Sequence, residues 1–149
     1  MSNEQLKLSN QICFPLYSAS RLITQAYQPY LDKMGITYPQ YLVLMVLWEN
    51  DEISVNDVAK KLILKTNTIS PLLQRMAKQE LIERNRSSDD ERCVKVKLTD
   101  KGKALEAKAK LIPEQMLDHL LSDSVELDDV IQMRHQLNQW IEILKDKQK

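Results

Sequence analysis

The chain has 149 residues, of which 43% are hydrophobic and 28% are charged, and its acidic and basic side chains are equal in number. This composition excludes a disordered chain, and the length suits one domain with a single core. The longest apolar run, YLVLMVLW at residues 41–48, is too short to span a membrane, and the N-terminus lacks the apolar stretch of a signal peptide. We therefore expect a cytoplasmic protein, and two isolated cysteines suit that reducing compartment.

The charges are distributed unevenly along the chain. Residues 60–97 contain ten Lys and Arg against five Asp and Glu, while the rest of the chain contains eleven against sixteen. A basic middle between acidic flanks is typical of a nucleic-acid-binding face. On charge alone, an ordinary solvated surface is an equally good interpretation.

The N-terminal third of the chain predicts two helices. The first begins near Ser9 or Asn10 and ends at Gly35, with apolar residues at helical spacing between them. The second is a buried helix over residues 40–50, which follows the segment TYPQ. Since the chain has only two glycines and one phenylalanine, we expect a mainly helical fold.

The middle of the chain predicts a helix-turn-helix and then a hairpin. Ser54 and Asp57 predict a capping box for a short helix, and Thr66 is expected to cap the next one, over residues 66–79. Two helices of a plain bundle are the alternative. Apolar and polar residues then alternate over residues 81–98, around a polar SSDDE tip, which predicts a two-stranded hairpin. A helix-turn-helix followed by a basic hairpin is a winged helix, and a plain bundle does not explain the hairpin.

The C-terminal third predicts two further helices. A long helix follows Thr99 and bends at Pro113, and a last helix covers residues 123–146. Met133 and Trp140 widen the apolar stripe of the last helix beyond what one small domain could cover. This indicates a homodimer, and the alternative is packing on the first helix of the same chain.

Two groups of segments carry a family resemblance. SDDERCVKVKLTDKG, at residues 88–102, resembles the wing of the MarR family of bacterial winged-helix regulators. CFPLYSASR, QAYQPYL and GITYPQYLVLMVLW resemble its organic-hydroperoxide-sensing (OhrR-like) branch. The resemblance covers residues from about 8 to 105. It implies one MarR-type domain, mainly α with a small β-wing, over residues 1–149, with dimerisation helices at 9–35 and 100–146 and a DNA-binding winged-helix lobe at 39–99.

Cys13 is the candidate sensing residue. The positive end of a helix favours the thiolate form of a cysteine in its first turn, and the thiolate is the form that reacts with a peroxide. Tyr27 lies 14 residues further on, roughly 21 Å along the helix axis, so it could reach only the Cys13 of a second chain. The resemblance implies a redox-sensing group in which Cys13 contacts Tyr27 and Tyr38 of the partner subunit, with Tyr17 close by. Core packing is the alternative for each of these residues.

The function implied is a transcriptional repressor that releases its operator when an organic hydroperoxide oxidises Cys13. Because the C-terminal helices carry no cysteine, and Cys93 lies in the wing, we expect oxidised Cys13 either to be captured by a low-molecular-weight thiol or to be oxidised further. One alternative is a MarR-family regulator that responds to other oxidants or to a small phenolic ligand and has wider targets. Another is a thiol peroxidase, but the chain shows no His/Cys pairing or arginine beside the thiol, so we expect no enzyme.

Neither a metal nor a cofactor is expected. The two histidines, His119 and His135, lie on different predicted helices without ligand spacing. The expected partner is instead double-stranded DNA with a pseudo-palindromic operator, read by the second helix of the helix-turn-helix in the major groove and by Arg92 in the minor groove. The resemblance implies that Asp90 orients Arg92. The candidate DNA-binding residues are Thr66, Asn67, Thr68, Ser70, Gln74, Arg75, Arg84, Arg86, Asp90 and Arg92.

Overall fold

The computed structural model describes residues 3–90 and 92–148, so Glu91 of the predicted SSDDE tip lies outside the described residues. These residues form two compact units, one within Met1–Lys110 and one within Leu111–Lys149. Helices predominate in both units, and the first also contains a small sheet. Among the described helices, none combines the length and the hydropathy needed to cross a membrane.

Helix α1 spans Cys13–Met34. The prediction that it begins near Ser9 or Asn10 is wrong. Both residues lie in a short 3-10 turn, where the Asn10 amide donates to a backbone carbonyl six residues earlier and does not cap α1. The predicted end is confirmed, because Gly35 follows α1 with a φ of +67°, a left-handed conformation that favours glycine.

Helix α2 spans Tyr38–Glu49 and begins two residues earlier than predicted, because a capping box forms before it. The hydroxyl of Thr37 accepts a hydrogen bond from the backbone N–H of Gln40 at 3.4 Å. In return, the side-chain oxygen of Gln40 accepts one from the backbone N–H of Thr37 at 3.0 Å. The predicted burial of α2 is confirmed, since half of its 12 residues are buried.

The predicted helix-turn-helix is confirmed and consists of α3 (Val55–Leu62) and α4 (Thr66–Lys78). Ser54 accepts a hydrogen bond from the backbone N–H of Asp57 at 3.0 Å, which is the N-cap half of the predicted capping box. The prediction that Thr66 caps α4 is wrong. Thr66 is the first residue of α4, and the residue before it occupies the cap position without a side-chain hydrogen bond.

The predicted hairpin is confirmed and forms part of a three-stranded antiparallel sheet. Strands β2 (Ile82–Arg86) and β3 (Val94–Leu98) pair in a register that places Ile82 opposite Leu98. A third strand, β1 (Ile53–Ser54), pairs with the other edge of β3, so the order is β1-β3-β2. Sequence analysis missed β1, because two residues are too few to show an alternating pattern.

Helix α5 spans Asp100–Ala109 in the first unit, while α6 (Ile112–Leu120) and α7 (Leu127–Lys147) form the second. The prediction of one long helix bent at Pro113 is wrong. The helix ends before the proline, which takes the second position of α6, where a missing N–H costs little. The last helix begins four residues later than predicted, after a bridge between Ser122 and Val125.

The core of the first unit lies where α2, α3 and α4 pack against the sheet and α5. Helices α2–α5 and the sheet all bury aliphatic side chains there. The largest fully buried side chains are Leu31, Leu44, Leu47, Ile69, Leu73, Met76, Leu81, Ile82, Val43, Val58 and Val96.

We expect Gly102→Ala to destabilise the protein by about 1–3 kcal/mol. A Cβ at Gly102 would lie 2.2 Å from the backbone oxygen of Leu81 and 3.1 Å from Leu98, so α5 and the base of the sheet would have to move apart. Urea denaturation measures this change. Lys103→Ala, at an exposed position of the same helix, is the control and should change stability by less than about 0.5 kcal/mol. Equal stability of the two variants would contradict this account of the packing.

Candidate functional site

Three tyrosines from two helices form one cluster, which we call the phenol cluster: Tyr27 of α1 with Tyr38 and Tyr41 of α2. The ring centroids of Tyr27 and Tyr38 are 5.0 Å apart, and that of Tyr41 lies 5.8 Å from Tyr27 and 6.3 Å from Tyr38. These tilted contacts lie in the range that favours aromatic pairs. The structure therefore brings together two of the predicted sensing residues, Tyr27 and Tyr38, within one chain.

The environment of the phenol cluster keeps its hydroxyl groups protonated. Burial raises the pKa of Tyr27, and the neighbouring Tyr38 raises it further. Burial also raises the pKa of Tyr38 above 10.0. The pKa of Tyr41 is raised by burial first and then by both neighbouring phenols. At neutral pH the cluster thus offers neutral hydroxyl groups, which can donate hydrogen bonds to an anion.

Cys13 is not part of the phenol cluster of its own chain. It is the first residue of α1 and its side chain is exposed. Since α1 is continuous from Cys13 to beyond Tyr27, the two residues stand roughly 21 Å apart along the helix. Tyr17, one turn after Cys13, is 65% exposed, and the guanidinium of Arg21 lies 4.8 Å from its ring centroid. The four predicted sensing residues therefore occupy two separate places in one chain.

Sequence analysis missed Tyr41, the third ring of the phenol cluster. It also missed Trp48, which extends the cluster along α2. Tyr41 is only 2% exposed, and its ring centroid lies 6.3 Å from that of Trp48 in an edge-on arrangement. The indole N–H of Trp48 donates to the carbonyl of Gly102 at 3.0 Å. Their spacing of seven residues predicts a shared helix face. Because both lie within the apolar run at residues 41–48, the sequence pattern indicated only core packing.

A polar cleft of about 430 Å³ lies where the N-terminal ends of α3 and α4 meet the wing. Thr66 and Ser70 of α4 line one side, and Arg84 and Arg92 of the wing line the other. The Nε atom of Arg84 is buried and has no hydrogen-bond partner within the described part of the chain. The structure therefore gathers five of the predicted DNA-binding residues, these four and Asp90, around a single concave surface. The other cleft residues are Ser54, Val55, Asn56, Cys93 and Val94.

The remaining predicted DNA-binding residues lie on α4 and the wing. All of them are exposed: Asn67, Thr68, Gln74, Arg75 and Arg86. At the wing tip, the carboxylate of Asp90 accepts a hydrogen bond from the backbone N–H of Arg92 at 3.0 Å, and its carbonyl accepts one from Cys93 at 2.9 Å. Asp90 therefore orients the backbone at Arg92. Over residues 3–90 and 92–148, no group of three or more His, Cys, Asp or Glu side chains is placed to hold a metal ion.

The family model for transcriptional regulators of the SarA/Rot type matches residues 25–109, which include the phenol cluster and the whole winged helix. The chain belongs to this family. It is a transcriptional regulator with the MarR-type winged helix predicted from its sequence, and its relatives are regulators, not enzymes.

Several relatives match over most of their length. The organic hydroperoxide resistance transcriptional regulator of Bacillus subtilis is 44% identical over 97% of this chain and 96% of its own. The regulator MgrA of Staphylococcus aureus is 42% identical over 69% of this chain and 71% of its own. The structure of reduced AbfR bound to DNA is 34% identical, with a TM-score of 0.78 over 97% of this chain and 99% of its own. AbfR has also been solved overoxidised on DNA, with a TM-score of 0.76, and in a disulfide form, with a TM-score of 0.65.

We expect the phenol cluster to ionise above pH 10 in the folded protein. Because the raised pKa values of Tyr27, Tyr38 and Tyr41 favour the protonated form, their contribution to stability is present below pH 10 and is lost as pH rises through the raised values. Phenolate absorbance at alkaline pH measures the ionisation. Tyr41→Phe should remove part of the late absorbance, and the wild-type protein is the reference. Complete ionisation of the cluster at or below pH 10 would contradict the prediction.

Proposed function

We propose that the chain is a homodimeric, DNA-binding repressor that senses organic hydroperoxides by oxidation of Cys13. The observation that carries this proposal is that Cys13 lies far from the predicted sensing tyrosines, Tyr27 and Tyr38, of its own chain. Tyr27 and Tyr38 are neutral hydrogen-bond donors whose ring centroids lie 5.0 Å apart. Cys13 is exposed at the far end of α1. A second chain related by a two-fold axis can place its Cys13 at the phenols of the first, which completes two sites at once.

The surroundings of Cys13 support such an interface. Phe14 and Tyr17, beside it on α1, are exposed, and so are the apolar side chains before it. A solvent-exposed apolar surface of this kind marks an interaction site. Helix α7 has a second set of exposed apolar residues. The exposed large apolar residues of these segments are Leu6, Leu8, Ile12, Phe14, Tyr17 and Leu22 near the N-terminus, and Leu127, Ile131, Met133, Ile143 and Leu144 on α7.

The proposed chemistry is a two-electron oxidation of the thiolate. The sulfur of Cys13 attacks the terminal oxygen of the hydroperoxide, the O–O bond breaks, and the leaving alkoxide takes up a proton from solvent to form an alcohol. Cys13 becomes a sulfenic acid, and a small cellular thiol then forms a mixed disulfide with it and releases water. A neutral sulfenic acid or a bulky disulfide is a poorer acceptor for the Tyr27 and Tyr38 hydroxyl groups than the thiolate.

The relatives support a redox signal. One is an organic hydroperoxide resistance regulator, and AbfR has been solved in reduced, overoxidised and disulfide forms. Since both the reduced and the overoxidised AbfR are bound to DNA in those structures, the step after first oxidation matters. For this chain we therefore place release of DNA at the mixed disulfide formed with a small thiol.

The winged helix is the proposed DNA-binding lobe. The N-terminal half of α4, with Thr66, Asn67 and Thr68, enters the major groove, and Arg92 enters the adjacent minor groove. The cleft between them, with Arg84 in its wall, suits a backbone phosphate. Two copies of the lobe would read the two halves of a pseudo-palindromic operator.

A second candidate function is regulation by a small phenolic ligand, or by other oxidants, with wider targets. The polar cleft of about 430 Å³ has room for a small aromatic acid between α4 and the wing. If salicylate causes the Cys13→Ser variant to release its DNA, this candidate is favoured over hydroperoxide sensing.

We expect Arg92→Ala to weaken DNA binding and to reduce the salt dependence of the affinity by about one counterion. Electrophoretic mobility shift or fluorescence anisotropy between 50 and 200 mM salt measures both. Lys145→Ala is the control, because this lysine lies on α7 in an exposed ion pair with Glu142 at 3.2 Å. If Arg92→Ala leaves the salt dependence of the affinity unchanged, the prediction that the wing tip contacts DNA is wrong.

We expect cumene hydroperoxide with a small thiol to release the wild-type protein from its own upstream DNA, and to leave the Cys13→Ser variant bound. Serine keeps the size of the side chain but cannot form a sulfenic acid. Cys93→Ser is the matched control and should respond like the wild type. If Cys13→Ser is released as readily as the wild type, the sensing role belongs elsewhere.

A further inference from the structure

The turn that contains Tyr38 is hydrogen-bonded to α4, the helix proposed to read DNA. Among residues 3–90 and 92–148, Gln40 is the one buried polar side chain, only 4% exposed. It lies two residues after Tyr38, in the first turn of α2. A buried amide is costly unless both its oxygen and its nitrogen are hydrogen-bonded, so the partners of Gln40 determine how this turn is held.

Both ends of the Gln40 amide have partners. Its oxygen accepts from the backbone N–H of Thr37 at 3.0 Å, which completes the capping box of α2. Its nitrogen donates to the side-chain oxygen of Gln79 at 2.8 Å, across 39 residues of sequence. The oxygen must face Thr37, because only an acceptor can bind that N–H, so the orientation of the amide is defined.

Gln79 is the C-cap residue of α4. Its backbone N–H donates to the carbonyl of Arg75 at 3.0 Å, and its own carbonyl accepts from the Lys101 ammonium at 2.8 Å. Helix α4 has 13 residues and is about 20 Å long, so a shift at this end is carried to the end that faces the proposed major groove. The hydrogen bond thus links the turn of a sensing phenol to the helix that would read DNA.

We propose that Gln40 and Gln79 are positioning residues that couple the state of Cys13 to the position of α4. This inference rests on the proposed function. In the reduced dimer, the partner's thiolate holds Tyr38, and the capping turn keeps Gln40 in place against Gln79. When oxidation releases Tyr38, the turn moves, and the hydrogen bond transmits that movement to the C-terminal end of α4.

The test compares the affinities of the reduced and the oxidised protein for DNA, using full-length protein and its own upstream DNA. Gln79→Leu removes the acceptor but leaves the capping box intact, and its exposed position makes a folded variant the expected product. Gln79→Glu keeps an acceptor oxygen for Gln40 and is the matched control. The oxidised state is prepared with cumene hydroperoxide and a small thiol.

We expect Gln79→Leu to lower the ratio of oxidised to reduced dissociation constants by about fivefold, the lower end of the usual range for coupling between two sites. Gln79→Glu should keep the wild-type ratio. A merely structural role would weaken both states equally and leave the ratio unchanged.

The outcomes separate this inference from the proposed function. A wild-type protein whose affinity does not respond to oxidation would overturn the proposed function, and the coupling with it. A wild-type response that Gln79→Leu fully retains would overturn the coupling alone. If Gln79→Glu loses the response as completely as Gln79→Leu, the acceptor oxygen is not what matters, and the hydrogen-bond account is likewise overturned.

Discussion

The length of α1 is the constraint on which the proposed sensor depends. A continuous helix holds Cys13 and Tyr27 roughly 21 Å apart, so the thiol and the phenols of one chain cannot meet. A sensing site built from these residues requires a second chain. The same constraint gives a reason for the exposed apolar surface around Phe14 and Tyr17, which would otherwise face solvent at a cost. In this design, sensing and dimerisation are one property of α1.

The segment TYPQ, at residues 37–40, lies between α1 and the rest of α2. Thr37 caps α2, Tyr38 supplies a phenol, and Gln40 returns a hydrogen bond to the cap while its nitrogen reaches Gln79 at the end of α4. One turn therefore supports a helix terminus, a candidate sensing side chain and a contact with α4, the helix proposed to read DNA. Because the Gln40 amide is buried, these three tasks are not independent: a change in one hydrogen bond leaves a buried polar group unsatisfied.

Sequence patterns predicted the elements whose signals are local. The alternation of residues 81–98 gave the hairpin, and Gly35 marked the end of α1, because periodicity and left-handed backbone are properties of short segments. Patterns failed where long-range contacts or a competing local turn decide. Strand β1 exists because β3 offers it a free edge, and α1 begins at Cys13 because the preceding residues form their own 3-10 turn. The roles of Tyr41 and Gln40 depend on neighbours from other elements, which spacing alone cannot reveal.

Uncharged phenols, as the proposed partners of the Cys13 sulfur, suit a redox switch. Tyr27 and Tyr38 carry no charge of their own, so the strength of their contact depends on whether the sulfur is charged. Neutral hydroxyl groups bind the thiolate through charge-assisted hydrogen bonds, which are roughly twice as strong as neutral ones. Burial in the cluster raises the pKa of Tyr27 and Tyr38, which keeps the protons that these bonds need. Once the sulfur is neutral, the stronger part of the interaction is lost, and the phenols and the turn that holds Tyr38 are free to move.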